Sequence, residues 1–265
     1  MSGVAIVTDT SALFAEGVAE SLGVIRVPVA VALDGQAYGS DDVEDFYERL
    51  SRGARATTSQ PSPGDFLEAY GAAAARGASE VLSIHLDSRL SGTVASAELA
   101  TADAAIPVSV VDTRTVSFGV GVCVQAAAGA VAAGASAQEA AEVARKIGLE
   151  LRNVFVAPGG TAGRAGGEDG WAALELAEGS ALVIGECKTV GDAVRLMARQ
   201  VLARQQSVRV AVGHAAAMVE SAADELAAAL LRSVHVMAVE RYRVGPAVGS
   251  HSGPRSFGAF WWPAE

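Results

Sequence analysis

Hydroxyl side chains gather at three places where they could hold an anion: Thr57, Thr58 and Ser59 in "TTSQPSPGD", Ser88, Ser91 and Thr93 in "DSRLSGT", and Ser250 and Ser252 beside His251 in "GSHSGP". The second half of the first stretch has a local task. Ser62 suits a helix N-cap, Pro63 the first helical position, and Asp65 the first turn, where the dipole favours negative charge. "TTSQ" is left without a capping role, so its hydroxyls are either turn-makers or ligand-holders. In the middle cluster, Ser91, Gly92 and Thr93 precede a helix, and their hydroxyls and N–H groups can meet a carboxylate there; an N-cap serine is the plainer reading. "GSHSG" carries histidine where a nucleophile elbow has serine. His85 and His214 end strands, His235 lies within one, and all three read as structural. No histidine pair has metal-ligand spacing, and no P-loop or dinucleotide fingerprint follows a strand.

The elements that must position these groups follow from alternation. Strands at 4–9, 24–31, 80–86 and 107–112 are followed by helical patterns at 14–22, 43–51, 92–103 and 119–133. That order predicts an α/β fold with a parallel sheet flanked by helices, and ligands gather at the carboxyl ends of such strands. After a capped helix at 137–147 the pattern changes near residue 152. A strand at 153–157 leads into the glycine-rich "GGTAGRAGGEDG", then a hairpin (172–176 and 181–186), helix 190–204, strand 208–214, helix 218–231, strand 234–240 and a β-rich segment 245–262. We expect two domains, an N-terminal α/β domain over 1–150 and a mixed α/β domain over 151–265.

Composition narrows the function. Thirty acidic against twenty basic residues give a net charge of −10, which repels phosphate backbones and argues against nucleic-acid binding. The run from Gly119 to Ala135 is too short and too rich in Ala and Gly for a transmembrane span. Cys123 and Cys187 stand apart in apolar segments and read as buried thiols, with no metal or disulfide role. The N-terminus opens directly on "VAIVTD" with no basic region of a signal peptide, which points to the cytoplasm.

Five segments taken together, "VTDTSA", "TTSQPSPGDFLEAY", "VLSIHLDSRLSGT" with "SAELA", "VVDTRTVSFGVG" and "GPAVGSHSGPRSFG", resemble the DegV family of fatty-acid-binding proteins in order and spacing over most of the chain. The resemblance implies a two-domain protein that holds one long-chain fatty acid, its carboxylate fixed between the domains and its acyl chain in an apolar tunnel. It also implies a role as the lipid-binding component of a bacterial fatty-acid kinase, presenting the acid to a separate kinase, with no cofactor and no catalysis of its own. By motif, Thr58 or Ser59 and Ser91 hydrogen-bond the carboxylate, with Gly92, Thr93 and Asp9 beside them in the ligand site, and His251 approaches it; Arg164 falls in the family's glycine-arginine loop and joins the ligand site by steering anionic groups. The chain departs from the family pattern between 157 and 171, where about ten residues of helix are missing. A shortened cover over the tunnel follows, unless Trp171 or the Trp261-Trp262 pair replaces it. Two other readings remain: an acyl hydrolase built from Ser91, His251 and an acid such as Asp9, and an interaction module that no longer binds lipid.

Overall fold

The computed structural model describes residues 3–39, 42–158, 171–203 and 205–264. The chain divides into two compact units, one of residues 1–30 and 58–150, the other of 31–57 and 151–265.

The first unit is built on four parallel strands, β1 (Val4–Asp9), β2 (Ile25–Val27), β6 (Glu80–His85) and β7 (Val108–Asp112), in the order β2-β1-β6-β7. Its helices are α1 (Val18–Leu22), α3 (Pro63–Ala75), α4 (Thr93–Ala100), α5 (Phe118–Ala132) and α6 (Ala137–Glu150). Phe66 and Tyr70 of α3 and Ala97 of α4 pack with Val7, Val27 and Val81 into one core. Helix α5 is buried along most of its length; Gly121 is needed there because a Cβ would stand 1.9 Å from the carbonyl oxygen of Leu13. Ser62 and Asp65 cap α3 reciprocally, with Pro63 at its start, as "SPGD" predicts.

The second unit carries a six-stranded sheet, β8 (Arg152–Pro158), β9 (Trp171–Ala177), β10 (Ser180–Cys187), β11 (Val208–His214), β12 (Val236–Arg243) and β13 (Phe257–Pro263), ordered β10-β9-β8-β13-β11-β12. Only β11 and β12 run parallel. Helices α7 (Val190–Leu202) and α8 (Glu220–Leu231) supply Met197 and Leu226 to a core shared with Val154, Val156, Trp171 and Trp261. Trp171 lies edge-on to Phe257 and under the Arg255 guanidinium, and Trp262 is buried near Arg209, so all three tryptophans are engaged by this unit's own sheet. The β9–β10 hairpin turns at Glu178-Gly179, both at positive φ, as "AEGS" predicts.

Several boundaries differ from expectation. The strand expected over 24–31 is two, because Pro28 has no N–H to give the ladder: β2 ends at Val27 and β3 (Ala30–Leu33) starts a small sheet with β4 (Gln36–Ala37) and β5 (Ala56–Ser59). The turn from β3 to β4 is Asp34-Gly35, again at positive φ. The first domain expected over 1–150 is interrupted, since 31–57 groups with the second unit. There α2 (Val43–Ser51) buries Phe46 and Tyr47, the Tyr47 hydroxyl donates to the Val244 carbonyl, and Glu44 pairs with Arg243. The terminal segment is not wholly extended either: α9 (Pro246–Ser252) precedes β13. Pro246 begins it, and Gly249 lets it close on Tyr47, whose hydroxyl would be 2.4 Å from an added Cβ.

Candidate functional site

Asp9 closes β1, and Ser91, Gly92 and Thr93 follow β6, so these residues lie at the carboxyl ends of the first unit's strands, beside the end of β7. Three loops leave there, and backbone bonds join them: Leu13 N–H donates to Ser117 O at 3.2 Å, and Asp87 N–H to Thr115 O at 2.9 Å. The loop bearing Ser91 is framed by ion pairs. Arg89 chelates Asp87, with Nε and Nη2 donating to its carboxylate at 2.6–3.1 Å, while the Ser88 hydroxyl and Arg114 both bond Asp112. Burial pushes the Asp87 carboxyl upward, but the Arg89 hydrogen bonds outweigh it and hold the group below the ordinary aspartate range. The arginines on these loops therefore face carboxylates of the same loops.

Ser91 and Thr93 form a hydroxyl pair, Oγ to Oγ1 at 2.8 Å, and Ser91 Oγ also accepts from Thr93 N–H at 3.3 Å. The N-cap of α4 is Gly92, with no side-chain cap, so the plainer assignment of Ser91 as N-cap is displaced by one residue; no acidic side chain occupies the first turn. A helix start with a glycine N-cap, no acid in its first turn and two hydroxyls beside it offers hydrogen bonds and partial positive charge to a carboxylate.

"TTSQ" comes to this place through a residue that sequence reasoning passed over. Thr58, half-buried, and the exposed Ser59 end β5, and Gln60 follows them. Gln60 Nε2 donates to Ser96 Oγ of α4 at 3.2 Å, and its amide covers Gly92. Gln60 thus ties the segment of Thr58 and Ser59 to α4 within the first unit.

Asp9 has a different setting from a ligand contact. Its Oδ1 accepts from Ser11 N–H and the Ser11 hydroxyl, and its Oδ2 meets His85 Nδ1 at 2.8 Å. His85 Nε2 lies 2.7 Å from Ser83 Oγ, which accepts in turn from the Tyr70 hydroxyl at 3.0 Å. The connectivity is that of an Asp-His-Ser triad. Yet Asp9, His85 and Ser83 are each 0% exposed, and Phe66 stands edge-on to the imidazole at 5.0 Å. A nucleophile needs access for a carbonyl carbon, and none reaches Ser83. The chain of donors from Tyr70 to Asp9 instead braces strands β1 and β6 beneath the loops. Burial raises the Tyr70 hydroxyl to about 12, keeping it a donor. The hydrolase grouping loses its acid, since both Asp9 oxygens are committed to Ser11 and His85. Ser83 was legible in principle: it stands two residues before His85 in "EVLSIHL", hence on the same strand face.

His251 lies in the last turn of α9 in the second unit, exposed. Its serine neighbours are occupied locally: the Ser250 hydroxyl donates to Pro246 O, and Ser252 accepts from the Ser256 hydroxyl. Arg164 and nearly all of the shortened 157–171 segment fall outside the described residues. Cys123 and Cys187 are buried free thiols, and burial raises both. Among the described residues no cluster of His, Cys, Asp and Glu could hold a metal ion, and no helix is long and apolar enough to cross a membrane.

Comparison with known proteins agrees with this architecture. A DegV domain-containing protein of Streptomyces coelicolor is 32% identical over 278 residues, covering 96% of each chain. Another, of Deinococcus radiodurans, is 45% identical over 150 residues, 54% of this chain and 52% of that one. A solved structure described as showing fatty acid binding of a DegV family protein from Thermus thermophilus superposes with a TM-score of 0.87 at 28% identity, covering 98% of this chain and 99% of its own. The profile described as "Uncharacterised protein, DegV family" matches residues 3–157, the stretch that holds the strands, the "TTSQ" and "LSGT" segments and their supporting loops; the chain belongs to the DegV family.

Proposed function

We propose that this protein binds one long-chain fatty acid and presents its carboxylate to a separate fatty-acid kinase, without catalysing a reaction itself. The observation that carries the reading is the Ser91–Thr93 hydroxyl pair at the acid-free start of α4, whose N-cap is a glycine, tied through Gln60 to the segment of Thr58 and Ser59. A carboxylate there accepts from hydroxyls and from the N–H groups of the first turn. Because Arg89 and Arg114 are engaged by Asp87 and Asp112, the groups of these loops that remain for the anion among the described residues are hydroxyls and N–H dipoles, which leave its oxygens nucleophilic toward a phosphoryl group. His251 remains a candidate ligand residue through its motif "GSHSG" alone. Fatty acid binding by the Thermus thermophilus relative supports the ligand class.

Withdrawing a sixteen-carbon chain from water contributes on the order of 10 kcal/mol at about 0.8 kcal/mol per CH₂, before ordering costs. The acid is therefore expected to survive purification. Denaturing extraction followed by mass spectrometry should return stoichiometric long-chain acid, and the delipidated protein should take up added acid. An extract at blank level together with no uptake would overturn the reading.

A further inference from the structure

We infer that Gln60 is a positioning residue for the carboxylate site, a latch that sets the "TTSQ" hydroxyls against the start of α4; this rests on the fatty-acid reading above. Gly92 lies under the Gln60 amide. Its φ of −74° and ψ of 9° are open to any amino acid, so its backbone does not call for glycine. Space does. A Cβ on Gly92 would lie 2.2 Å from Gln60 Oε1, 2.6 Å from Nε2 and 2.7 Å from Cδ, so the whole amide group rests on the bare Cα. The same amide donates to Ser96 Oγ, one helical turn further along α4, and Ser96 N–H returns to the Gly92 carbonyl at 2.9 Å.

The latch is stiff at both ends. On one side β5 ends at Ser59; on the other, buried Pro61 leads into the capping box of Ser62 and Asp65. Few free torsions remain between a strand and a capped helix, so fixing the Gln60 amide on α4 fixes Thr58 and Ser59 relative to Ser91 and Thr93. Two clusters held in register before the ligand arrives lose less freedom when they close on its carboxylate.

The test measures binding of hexadecanoic acid by the delipidated full-length protein in four forms: wild type, Gln60→Ala, Gly92→Ala and the double variant. Gln60→Ala should bind roughly 5–30-fold more weakly, while its ligand-free melting temperature stays near that of wild type. Because Gly92→Ala displaces the same amide, the double variant should bind no worse than Gly92→Ala alone. Binding by Gln60→Ala within twofold of wild type, or losses that multiply in the double variant, would overturn the latch. Hydrogen exchange of the ligand-free proteins gives a readout that needs no lipid: Gln60→Ala should speed exchange at the amides of residues 93–96. Should wild type take up no acid, faster exchange there leaves the latch standing and removes only the ligand reading, whereas unchanged exchange removes the latch.

Discussion

Ser117 occupies backbone that a serine adopts only under strain, and replacing it should stabilise the protein. Its φ of 57° and ψ of −130° match the first central position of a type II′ turn, a geometry that glycine takes freely. Such a conformation costs a non-glycine residue on the order of 1–3 kcal/mol. The strain persists because Ser117 O accepts from Leu13 N–H and from Val120 N–H, coupling the loop after β1 to the start of α5. Neither of those bonds uses the side chain, and the hydroxyl caps nothing. Ser117→Gly keeps both backbone bonds and releases the strain, while the added freedom of the unfolded chain subtracts roughly 0.4–1 kcal/mol. The net is a gain of about 1 kcal/mol, a rise of roughly 2–4 °C in the melting temperature for a chain of this size. Ser117→Ala retains the strained backbone and should leave the midpoint close to wild type. Calorimetry on the ligand-free protein reads both. A Ser117→Gly variant that melts below wild type, or an Ala variant that gains as much as Gly, would refute the reasoning, because the backbone would then not be the source of the strain.

Ser91→Ala removes one donor to a charged acceptor and should weaken fatty-acid binding by about 1.5–3 kcal/mol, roughly 10- to 150-fold, with a smaller loss of ligand-free stability; equal losses in binding and stability would return Ser91 to a purely structural role. Gly121→Ala drives a Cβ into the Leu13 carbonyl, backbone that cannot swing aside, and should cost more than about 2 kcal/mol by chemical denaturation; a neutral effect would mean that α5 and the loop after β1 are not in contact. Burial, then Arg243 and Arg241, lowers His214 from its ordinary 6.5, so below that pH the unfolded chain binds a proton that the folded one resists. Stability should fall as pH drops from about 7 toward 5, and His214→Gln should flatten that slope; a His214→Gln curve parallel to wild type would assign the loss to other groups.

What could be read from the chain and what could not divide along a physical line. Strand alternation, the "SPGD" cap and the "EG" turn are consequences of near neighbours, and each shows as a local pattern. The interruption of the first unit by residues 31–57 is not local. It depends on Tyr47 finding the Val244 carbonyl 197 residues away and on Glu44 finding Arg243, which no window of sequence contains. The same holds at the site. Ser91, Thr93, Thr58 and Ser59 stand out in the sequence because hydroxyls are conspicuous near a helix start, and the family resemblance picks out the same segments; their hold on a carboxylate is the proposal above. Asp9 was legible as an acid, but its role was not. Its partner His85 comes from β6, 76 residues on, and only the parallel register of β1 and β6 reveals that its charge is spent inside. Gln60 and Gly92 show the same limit most sharply. A glutamine after two hydroxyls and a glycine before a helix are each unremarkable in a sequence. Their meaning is a distance between them, and it is set by a strand end and a helix start that must fold before the amide has anything to rest on.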